Sequence, residues 1–416
     1  MENKKMNVII VCDYAYTVGG AEKVAIESAI GLARSGVNVV FFAAVGPIDQ
    51  RLVEEGIRVV CLNQSDVKTG NKIQSLCQGL WNRKAQCTFR KLLSEFSPTD
   101  TIIHAHIWQK ALSSSVFYEC YKKKYQIAFT MHHYFLACPN GGFYNYQKNQ
   151  ICKQKALSLK CICTQCDKQN YVIKCFRVLR SIIEKYIAHL PQQIKYYITI
   201  SDLGKNVIEA YLPKNAKYYP IDNPFNIGEK LKVNVGKNDI YIYLGRLSPE
   251  KGVSILAELA RDLHIKIVVI GDGPEREIMD SITDKLIYSG WISGEEVEEY
   301  IQQARAFIFP TLWYEGMPMS VLECSAYGVP TILPNTCSAV EVVKDGETGF
   351  VYEQGNYEDL KRCIEQSLDN DLLERISHNI YNYFYSKDYS NIRHCNELKD
   401  LYREMLKDRE MEHETA

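Results

Sequence analysis

The sequence predicts an α/β protein made of two Rossmann-like domains with a cleft between them. Short, unbroken apolar runs alternate with segments of helical period, which is the pattern of a parallel sheet flanked by helices. This alternation stops near residue 212 and starts again near residue 239. The 416 residues are also too many for one ordinary hydrophobic core, and they fit two domains.

The first predicted strand is VIIVCDY at residues 8–14, an unbroken apolar run that suits a strand buried on both faces. A segment of helical period begins at Gly19 and ends at Gly36. The same alternation predicts further strands in the first half at VNVVFFAAV, IRVVCL, TIIHAHIW, QIAFTMHHY and YYITIS.

The second half repeats the pattern from DIYIYLGRL at 239–247. Helices are predicted at GVSILAELARDL and GEEVEEYIQQA, and strands at IKIVVIGDG, AFIFPT and PTILP. Pro213, Pro220 and Pro224 cluster between the halves and indicate a linker near 212–236.

Three segments follow from this reading. We expect a first domain at 1–215, a second domain at 216–385, and a C-terminal helix at 386–416 that packs back on the first domain.

Charge is distributed unevenly along the chain. Residues 1–200 carry 26 Lys and Arg against 13 Asp and Glu, and the remaining residues carry 23 against 37. The basic half can face the acidic half across a cleft, meet an anionic partner, or form an ordinary solvated surface. The formal net charge of −1 gives no reason to expect nucleic acid.

The N-terminal apolar run ends at Asp13, which is early for a signal peptide, and no run approaches the ~18 apolar residues that span a bilayer. We therefore expect a cytoplasmic protein. Its 15 Cys should be reduced there rather than form a disulfide framework.

Candidate ligand-binding residues lie just beyond the predicted strands, where open α/β sheets bind ligands. Gly19 and Gly20 open a helix, and glycines let backbone N–H groups approach an anion. The dinucleotide fingerprint G-x-G-x-x-G is absent there, and GDGPER, which contains Gly273, lacks its third glycine. This argues against a nicotinamide-dependent enzyme.

A cationic pair follows the strand at 239–247. In GRLSPEKG, Arg246 and Lys251 flank a turn that precedes a helix. A guanidinium fork and an ammonium together suit a diphosphate. Two surface cations at a turn are the alternative.

The segment WYEGMPMSVLE contains a pair of glutamates that could also bind a ligand or serve a structural role. Glu315 is predicted on a loop, Pro318 in the first turn of a helix, and Glu323 about one and a half turns inside it. A buried carboxylate needs hydrogen-bond donors, and a polyhydroxylated ligand supplies them. Structural caps or salt bridges are the alternative.

Taken together, the motifs resemble the retaining glycosyltransferases of the GT-B class, specifically family four. The resemblance covers nearly the whole chain, in the expected order and spacing. It rests on Gly19-Gly20, HAH (104–106), FTMHHY (129–134), NPF (223–225), GRLSPEKG (245–252), IGDGPE (270–275), GWIS (290–293) and EGMPMSVLECSAYGVP (315–330).

The resemblance implies a GT-B architecture whose second domain binds a nucleotide sugar and whose first domain faces the acceptor. Arg246 and Lys251 would bind the donor diphosphate, Glu323 the ribose, and Glu315 with the amides of Gly316 and Met317 the donor sugar. The implied donor-binding set is Gly19, Gly20, Arg246, Lys251, Gly273, Trp291, Gly316, Met317 and Glu323, with Trp291 at the nucleobase.

His132 matches the family's active-site histidine, so His132 and Glu315 are the implied catalytic residues. The family usually has Asp after this histidine, whereas this chain has His133. No role is therefore carried over for an acid at that position.

A cysteine-rich insertion occupies 138–175 and follows His132 closely, so we expect it to overhang the acceptor side of the cleft. Similar inserts occur in the polysaccharide-building branch of the family. Cytosolic Cys clusters can hold zinc, and Cys152, Cys161 and Cys166 are the candidate ligands. Their irregular spacing fits reduced packing thiols as well.

The segment 175–190 places apolar residues in a helical stripe and leaves Lys174, Arg177, Arg180 and Lys185 off it. An amphipathic helix with its apolar face in the core is the favoured reading. A helix lying on an anionic membrane surface is the alternative.

We conclude from the sequence that the chain is a glycosyltransferase that moves a sugar from a UDP- or GDP-sugar to a glycan or lipid-linked glycan, as in capsule or exopolysaccharide biosynthesis. We expect no divalent metal, because no Asp-x-Asp follows a strand. A phosphorylase would need a pyridoxal-type Lys that the sequence does not place. A non-catalytic sugar-nucleotide-binding protein and a GT-B-fold epimerase remain as alternatives.

Overall fold

A computed structural model describes residues 6–65, 72–277, 285–292 and 294–414. Over these residues the chain forms one parallel sheet of seven strands and another of six, each with its own hydrophobic core. The predicted α/β class with two Rossmann-like halves is confirmed.

The N-terminal sheet has the strand order β3-β2-β1-β4-β5-β8-β9. Its strands are β1 (Asn7–Tyr14), β2 (Asn38–Val45), β3 (Arg58–Cys61), β4 (Thr101–Ile107), β5 (Gln126–Thr130), β8 (Tyr196–Thr199) and β9 (Lys217–Pro220). The helices of this part are α1 (Gly20–Arg34), α2 (Gln50–Glu54), α3 (Lys72–Leu80), α4 (Arg83–Leu93), α5 (Ser115–Lys123), α6 (Leu159–Cys163), α7 (Tyr171–Tyr186) and α8 (Asp202–Ile208). A small hairpin, β6 (Tyr144–Asn145) with β7 (Gln150–Ile151), lies in the cysteine-rich insertion.

The C-terminal sheet has the order β12-β11-β10-β13-β14-β15. Its strands are β10 (Ile240–Leu244), β11 (Lys266–Ile270), β12 (Leu286–Gly290), β13 (Ala304–Ile308), β14 (Thr331–Pro334) and β15 (Gly349–Tyr352). The remaining helices are α9 (Ile255–Asp262), α10 (Gly294–Gln302), α11 (Met319–Ala326), α12 (Tyr357–Gln366), α13 (Asn370–Ser386) and α14 (Asn391–Glu414).

The interior position of β1 and β10 explains why the sequence of each strand is a continuous apolar run. β1 pairs in parallel with β2 on one side and β4 on the other, and its residues from Val8 to Tyr14 are all buried. β10 is placed in the same way between β11 and β13. A strand that is covered on both faces has no polar face, so the sequence shows no alternation there.

The predicted boundary at 215/216 and the predicted linker at 212–236 both need correction. Strand β9 begins at Lys217 and pairs with β8, so the N-terminal sheet continues past the predicted boundary. Proline is tolerated at the end of an edge strand, and Pro220 takes that position. Pro220 is therefore the last residue of a strand, and the segment without regular structure begins at Ile221 and runs to Asn234.

The chain crosses between domains twice, and the crossings lie side by side. The amide of Phe225 on the first crossing donates to the carbonyl of Tyr389 on the second at 2.8 Å. Helix α14 then lies against the N-terminal domain, where His394 Nε2 lies 2.8 Å from Ser28 Oγ of α1. Tyr402 is fully buried in the core of the N-terminal domain.

Helix α7 is oriented opposite to the favoured prediction. Most of the predicted apolar stripe faces away from the core: Cys175, Leu179, Ile182 and Tyr186 are exposed, Phe176 and Ile183 are half-buried, and Leu190, beyond the helix end, is buried. Its buried residues include Lys174, Arg180 and Glu184. The prediction of a core-facing apolar stripe is therefore wrong. The helical period predicts which residues share a face of the helix, but it does not predict whether that face meets the core or the solvent.

The proposed cationic surface of α7 is also wrong for three of its four residues. Lys174 and Arg180 are buried, and Arg177 forms an ion pair with Asp167 at 2.9 Å. Lys185 is exposed. None of the described helices combines the length and the apolar character that crossing a bilayer requires.

Candidate functional site

The candidate site lies in the cleft, beyond the carboxyl ends of strands from both domains. β10 ends just before Arg246, β13 ends before the loop that carries Glu315, and β5 ends before His132. Parallel strands bring these loops to one edge of each sheet. The two domains touch around the site, where the rings of Tyr134 and Tyr314 are 6.4 Å apart.

Lys251 and Glu315 are brought together as an ion pair. The Lys251 ammonium contacts Glu315 Oε2, and Trp313 Nε1 donates to the same oxygen at 2.7 Å. Both charged side chains are 15% exposed, so the pair is shielded while one side remains open to the cleft. The ammonium also lies 5.7 Å from the Trp313 ring, which adds cation–π attraction.

A tight backbone junction sets the position of Lys251. Residues 249–251 form a single 3₁₀ turn that ends at Gly252, whose φ is +67°. A Cβ atom at Gly252 would come within 2.1 Å of the Pro310 carbonyl oxygen. The two loops therefore interlock only because this position is glycine, and the amide of Leu312 donates to the Glu250 carbonyl at 2.9 Å across the junction.

Arg246 is held by a carboxylate that the sequence analysis missed. Its guanidinium contacts Glu250 Oε1 at 2.8 Å, and Lys168 lies 3.5 Å from Oε2. Burial by itself raises the pKa of Glu250, but its own backbone amide, Lys168 and Arg246 hold that pKa below its ordinary value. The Arg246 side chain is 59% exposed, so it can turn from Glu250 toward an anion in the cleft.

Glu323 differs from Glu315 because no other described side chain pairs with it. It is the fifth residue of α11, half-buried, and none of the described residues forms a hydrogen bond or ion pair with its carboxylate. Burial raises the pKa of this carboxyl, and Lys23 of α1 is the largest opposing charge. Helix α11 begins at Met319, so Pro318 precedes its first turn instead of lying within it as predicted.

The predicted glycines take different places around the site. Gly20 begins α1, with Gly19 at its N-cap in extended conformation. Because Lys23 of α1 acts on the Glu323 carboxyl, this helix start belongs to the same cleft. Gly273 lies against the loop after β10, where an added Cβ atom would meet the Leu247 carbonyl at 2.1 Å.

The remaining predicted donor-binding residues are exposed or half-buried. Trp291 follows β12 and is 80% exposed. Gly316 and Met317 lie between Glu315 and α11. Met317 lines a cavity of about 350 Å³, together with residues of both domains such as Asp222 and Glu341.

His132 lies at the end of a row of buried histidines. Its Nε2 is 2.9 Å from His106 Nδ1, and the two rings stack with centroids 5.2 Å apart. His106 in turn lies 4.3 Å from the His104 ring, and Tyr402 of α14 contacts His104 Nδ1 at 2.7 Å. Burial, followed by the charge of His394, lowers the pKa of His132 to about 3. His132 is therefore neutral at pH 7, and one of its nitrogens is committed to His106.

The cysteine-rich insertion reaches the loop after β10 in the C-terminal domain. Its Lys168 contacts Glu250, and Tyr144 is fully buried in the same region. The Tyr144 hydroxyl and Glu275 Oε2 are buried without hydrogen-bond partners among the described residues. Such polar atoms beside a cleft are suited to a polar ligand.

The candidate zinc ligands do not form a metal site. Among the residues that the structure describes, no three His, Cys, Asp or Glu side chains are arranged to hold a metal ion. Instead, the Lys174 ammonium lies 3.2 Å from Cys166 Sγ and 3.6 Å from Cys161 Sγ. Cys152 is half-buried, and all three are free cysteines.

Further contacts join the domains beside the cavity. Ser201 Oγ and Ser338 Oγ are 2.8 Å apart. Glu341 accepts from the amides of Asp202 and Leu203 at the start of α8, at 2.8 and 3.1 Å. A carboxylate at a helix N-terminus satisfies free amides, so this contact stabilises the observed domain arrangement.

The sequence analysis missed Glu250, Lys168, Tyr144 and His106 as site residues. Glu250 stands four positions after Arg246 in the quoted motif, and an acid at that spacing from an Arg could have been predicted as its partner. Lys168 and Tyr144 carry no such signal, because only the folded insertion brings them to the second domain.

Comparison with known proteins gives one family match. Residues 228–383 match the family described as glycosyl transferases group 1. A GDP-mannose-dependent alpha-mannosyltransferase of Corynebacterium glutamicum is 31% identical over 136 residues, which is 32% of this chain and 33% of that protein. The capsular polysaccharide biosynthesis glycosyltransferase CapM of Staphylococcus aureus is 26% identical over 242 residues, which is 54% of this chain and 63% of CapM. These matches thus span about a third to two thirds of each relative.

Solved structures share the fold across the whole chain. Anabaena HepE, solved in complex with UDP and glucose, has a TM-score of 0.66 at 14% identity, over 96% of this chain and 100% of that one. Sucrose-phosphate synthase from Thermosynechococcus elongatus has a TM-score of 0.69 at 16% identity, over 97% and 100%. At such identities the likeness establishes the two-domain fold and nothing finer.

Proposed function

We propose, from the match of residues 228–383 to the glycosyl transferases group 1 family, that the chain transfers a sugar from a nucleotide sugar to an acceptor hydroxyl. The observation that carries the proposal is the pair of cations at the strand ends, Arg246 and Lys251, each held by a carboxylate and open to the cleft. Two cations placed in this way match the charge of a diphosphate leaving group.

The diphosphate competes with carboxylates for these cations. When it binds, Arg246 turns from Glu250, and the Lys251 ammonium is shared between the phosphate and Glu315. Charge grows on the diphosphate as the anomeric bond breaks, so the two cations stabilise the transition state more than the bound substrate. Glu315 is then free to accept hydrogen bonds from sugar hydroxyls.

The acceptor approaches from the N-terminal domain. We propose that neutral His132, which has one nitrogen bound to His106, offers the other to a sugar hydroxyl. We propose that the acceptor hydroxyl attacks the face from which the diphosphate leaves, which retains the anomeric configuration, and that a donor phosphate oxygen takes its proton.

The donor is a UDP- or GDP-sugar. Support comes from the relatives, since one is a GDP-mannose-dependent enzyme and another is a UDP-Gal:alpha-D-GlcNAc-diphosphoundecaprenol galactosyltransferase of Escherichia coli. We propose that Glu323 binds the ribose, because it is a half-buried carboxylate on α11 for which we find no partner within the described residues. No observation specifically favours an epimerase or a non-catalytic binding protein.

The test is a thermal-shift titration of the full-length chain with UDP, GDP and their sugars, followed by measurement of nucleoside diphosphate release. A ligand present at 100 times its dissociation constant stabilises the folded state by about 2.7 kcal/mol. We expect one nucleotide series to raise the Tm and its sugar to be consumed. If neither series raises the Tm, the proposal is refuted. A shift without turnover across lipid-linked and glycan acceptors would instead establish a binding protein.

We further propose that a lipid-linked glycan in polysaccharide biosynthesis is the acceptor and that the chain docks at an anionic membrane surface. Support comes from the exposed apolar face of α7, which runs along the helix at Val172, Cys175, Leu179, Ile182 and Tyr186. Soluble monomers rarely expose such stripes. Lys155, Lys160 and Lys185 are exposed on and near this helix and suit anionic lipid headgroups.

Vesicle sedimentation tests this docking. The wild type should bind vesicles that contain anionic lipid more than neutral ones, and Ile182→Glu should lower binding at least tenfold. Val53→Glu is the matched control, because Val53 is an exposed apolar residue on α2, away from α7. If Ile182→Glu binds vesicles like the control, α7 is not the membrane contact. A stripe that drives self-association instead would make the wild type a dimer that Ile182→Glu dissociates.

A further inference from the structure

A buried lysine in the insertion has thiols for partners. Lys174 is 0% exposed, and its ammonium contacts Cys166 Sγ at 3.2 Å and Cys161 Sγ at 3.6 Å. Within the described part of the chain, no carboxylate forms an ion pair with it. A buried charge is costly unless it is paired, and carboxylates are its ordinary partners. The pairing of an amine with two thiols therefore calls for an explanation.

The three groups are held in place by backbone contacts on every side. Ser158 caps α6 by accepting from the amide of Cys161 at 3.2 Å. The carbonyl of Cys166 accepts from the amide of Tyr146 at 3.3 Å and from Asn140 Nδ2 at 3.4 Å. Lys174 lies in the first turns of α7, and its amide donates to the Asn170 carbonyl at 3.1 Å. The amine and the thiols thus belong to a built site.

The site is electrically neutral when the amine and one thiol share a single proton. Burial raises the pKa of Cys166, and the Lys174 ammonium opposes that rise. The shared proton leaves either a thiolate beside an ammonium or a thiol beside a free amine. Both arrangements place a nucleophile in contact with its partner, and thiolate character is what makes a cysteine sensitive to oxidants.

We propose that Lys174 and Cys166 form an oxidation-dependent cross-link in which one oxygen atom joins Lys174 Nζ to Cys166 Sγ. With dioxygen as the oxidant, the amine loses one hydrogen and the thiol loses its hydrogen. One oxygen atom becomes the N–O–S bridge, and the other leaves as water. Nitrogen and sulfur each give up two electrons, so dioxygen is fully reduced. Two equivalents of a dithiol return the four electrons and restore the amine, the thiol and a second water.

Geometry favours this product over a disulfide between the two cysteines. The lysine nitrogen lies in contact with both sulfur atoms, and both cysteines are free thiols in the structure. Bridging nitrogen to the nearer sulfur through one atom requires only a small approach. Cys166 is 4% exposed, so a small oxidant such as dioxygen is the kind suited to reach it.

The cross-link is placed where it bears on the cleft. Lys168 stands two residues after Cys166 and contacts Glu250, the partner of Arg246. Arg177 stands three residues after Lys174 and pairs with Asp167. Joining residues 166 and 174 therefore ties the segment that touches the C-terminal domain to α7.

The experiment compares protein kept anaerobic with reductant against the same protein exposed to air, by digestion with trypsin and tandem mass spectrometry. We expect the oxidised wild type to lose cleavage after Lys174 and to yield a peptide pair that carries one added oxygen and lacks two hydrogens. Dithiothreitol should return both peptides to their unmodified masses. Lys174→Met and Cys166→Ser should abolish the product. Cys163→Ser, which removes an exposed thiol at the end of α6, should leave it unchanged.

The wild-type spectrum alone can overturn the proposal, so it does not depend on the folding of a variant. A single peptide 161–168 that lacks two hydrogens without added oxygen would show a disulfide within it, because Cys161 and Cys166 lie between the cleavage sites Lys160 and Lys168. A bridge to Cys161 would overturn the assignment to Cys166. Complete cleavage after Lys174 under conditions that fully oxidise Cys163 would show that no cross-link forms.

Discussion

Glu323→Gln should weaken donor binding while it stabilises the free protein. Glu323 is half-buried, and no described residue pairs with its carboxylate. In the free protein this charge is therefore a cost, which an amide of the same shape removes. In the complex the carboxylate accepts hydrogen bonds from ribose hydroxyls, which an amide accepts less strongly. The two effects have opposite signs, and a purely structural carboxylate would not produce them.

The loss of donor affinity follows from the strength of a charged hydrogen bond. Hydrogen bonds to a charged group contribute about 1.5–3 kcal/mol, and each 1.4 kcal/mol is a factor of ten. Glu323→Ala should therefore raise the Kd of the nucleotide sugar about 10- to 150-fold. Glu323→Gln keeps one acceptor and should lie near the lower limit.

The gain in stability should depend on pH in one direction. Burial raises the folded-state pKa of Glu323 above its ordinary value of 4.5, so the folded state holds this proton more tightly than the unfolded state. The wild type keeps its full stability below pH 4.5 and loses part of it as the pH rises through the folded-state pKa. The Tm of Glu323→Gln should therefore exceed that of the wild type at pH 8, and the difference should vanish near pH 4.

Calorimetric titration with the donor and thermal unfolding at several pH values measure both effects. Glu299→Gln is the matched control, since it removes the same charge from an exposed position on α10. It should change neither donor Kd nor the pH dependence of the Tm. Unchanged donor affinity in a folded Glu323→Ala protein would refute the assignment of the ribose site.

Three other changes test the remaining architecture. Lys251→Ala should lower kcat about 10²- to 10³-fold, more than it raises the acceptor KM, because it removes a charge that stabilises the leaving group. Steady-state kinetics measure both constants, and equal effects on kcat and on the acceptor KM would show that the diphosphate binds elsewhere. Tyr402→Phe leaves His104 Nδ1 without its hydrogen-bond partner and should cost about 1–3 kcal/mol of unfolding free energy in urea, at unchanged kcat. Burial tends to raise the pKa of Asp408, but Lys217, Tyr196 and Lys195 lower it to about 2. Asp408→Asn should therefore lower the free energy of unfolding at pH 7, and the difference in unfolding free energy from the wild type should shrink as the pH falls from about 4 to about 2.

Much of the fold could be predicted from local pattern. The strands β1 and β10 are unbroken apolar runs, because burial on both faces leaves no place for a polar residue. Strand β12, with the sequence LIYSG, was missed because it is an edge strand whose residues are only partly buried. The sequence analysis also missed β9 and β15, each four residues long.

Local chemistry also predicted much of the candidate site. Gly252 and Lys251 belong to one short motif, and the turn that places them is set by residues near each other in the chain. Glu315 and Glu323 were predicted on a loop and on the helix that follows it, which the structure shows with the start shifted by one residue. In each case the chain needs no distant partner to form the feature.

Pairing and orientation depend on contacts between distant parts of the chain. Periodicity identified the apolar face of α7 but not its direction, because Lys174 meets Cys161 and Cys166, and Arg180 meets Pro139, only after the insertion has folded over the helix. Lys168 likewise reaches Glu250 across 82 positions of sequence. Solvent exposure is a property of the whole assembly of elements, so the sequence names the residues of a face while the packed structure decides whether that face meets core, ligand or solvent.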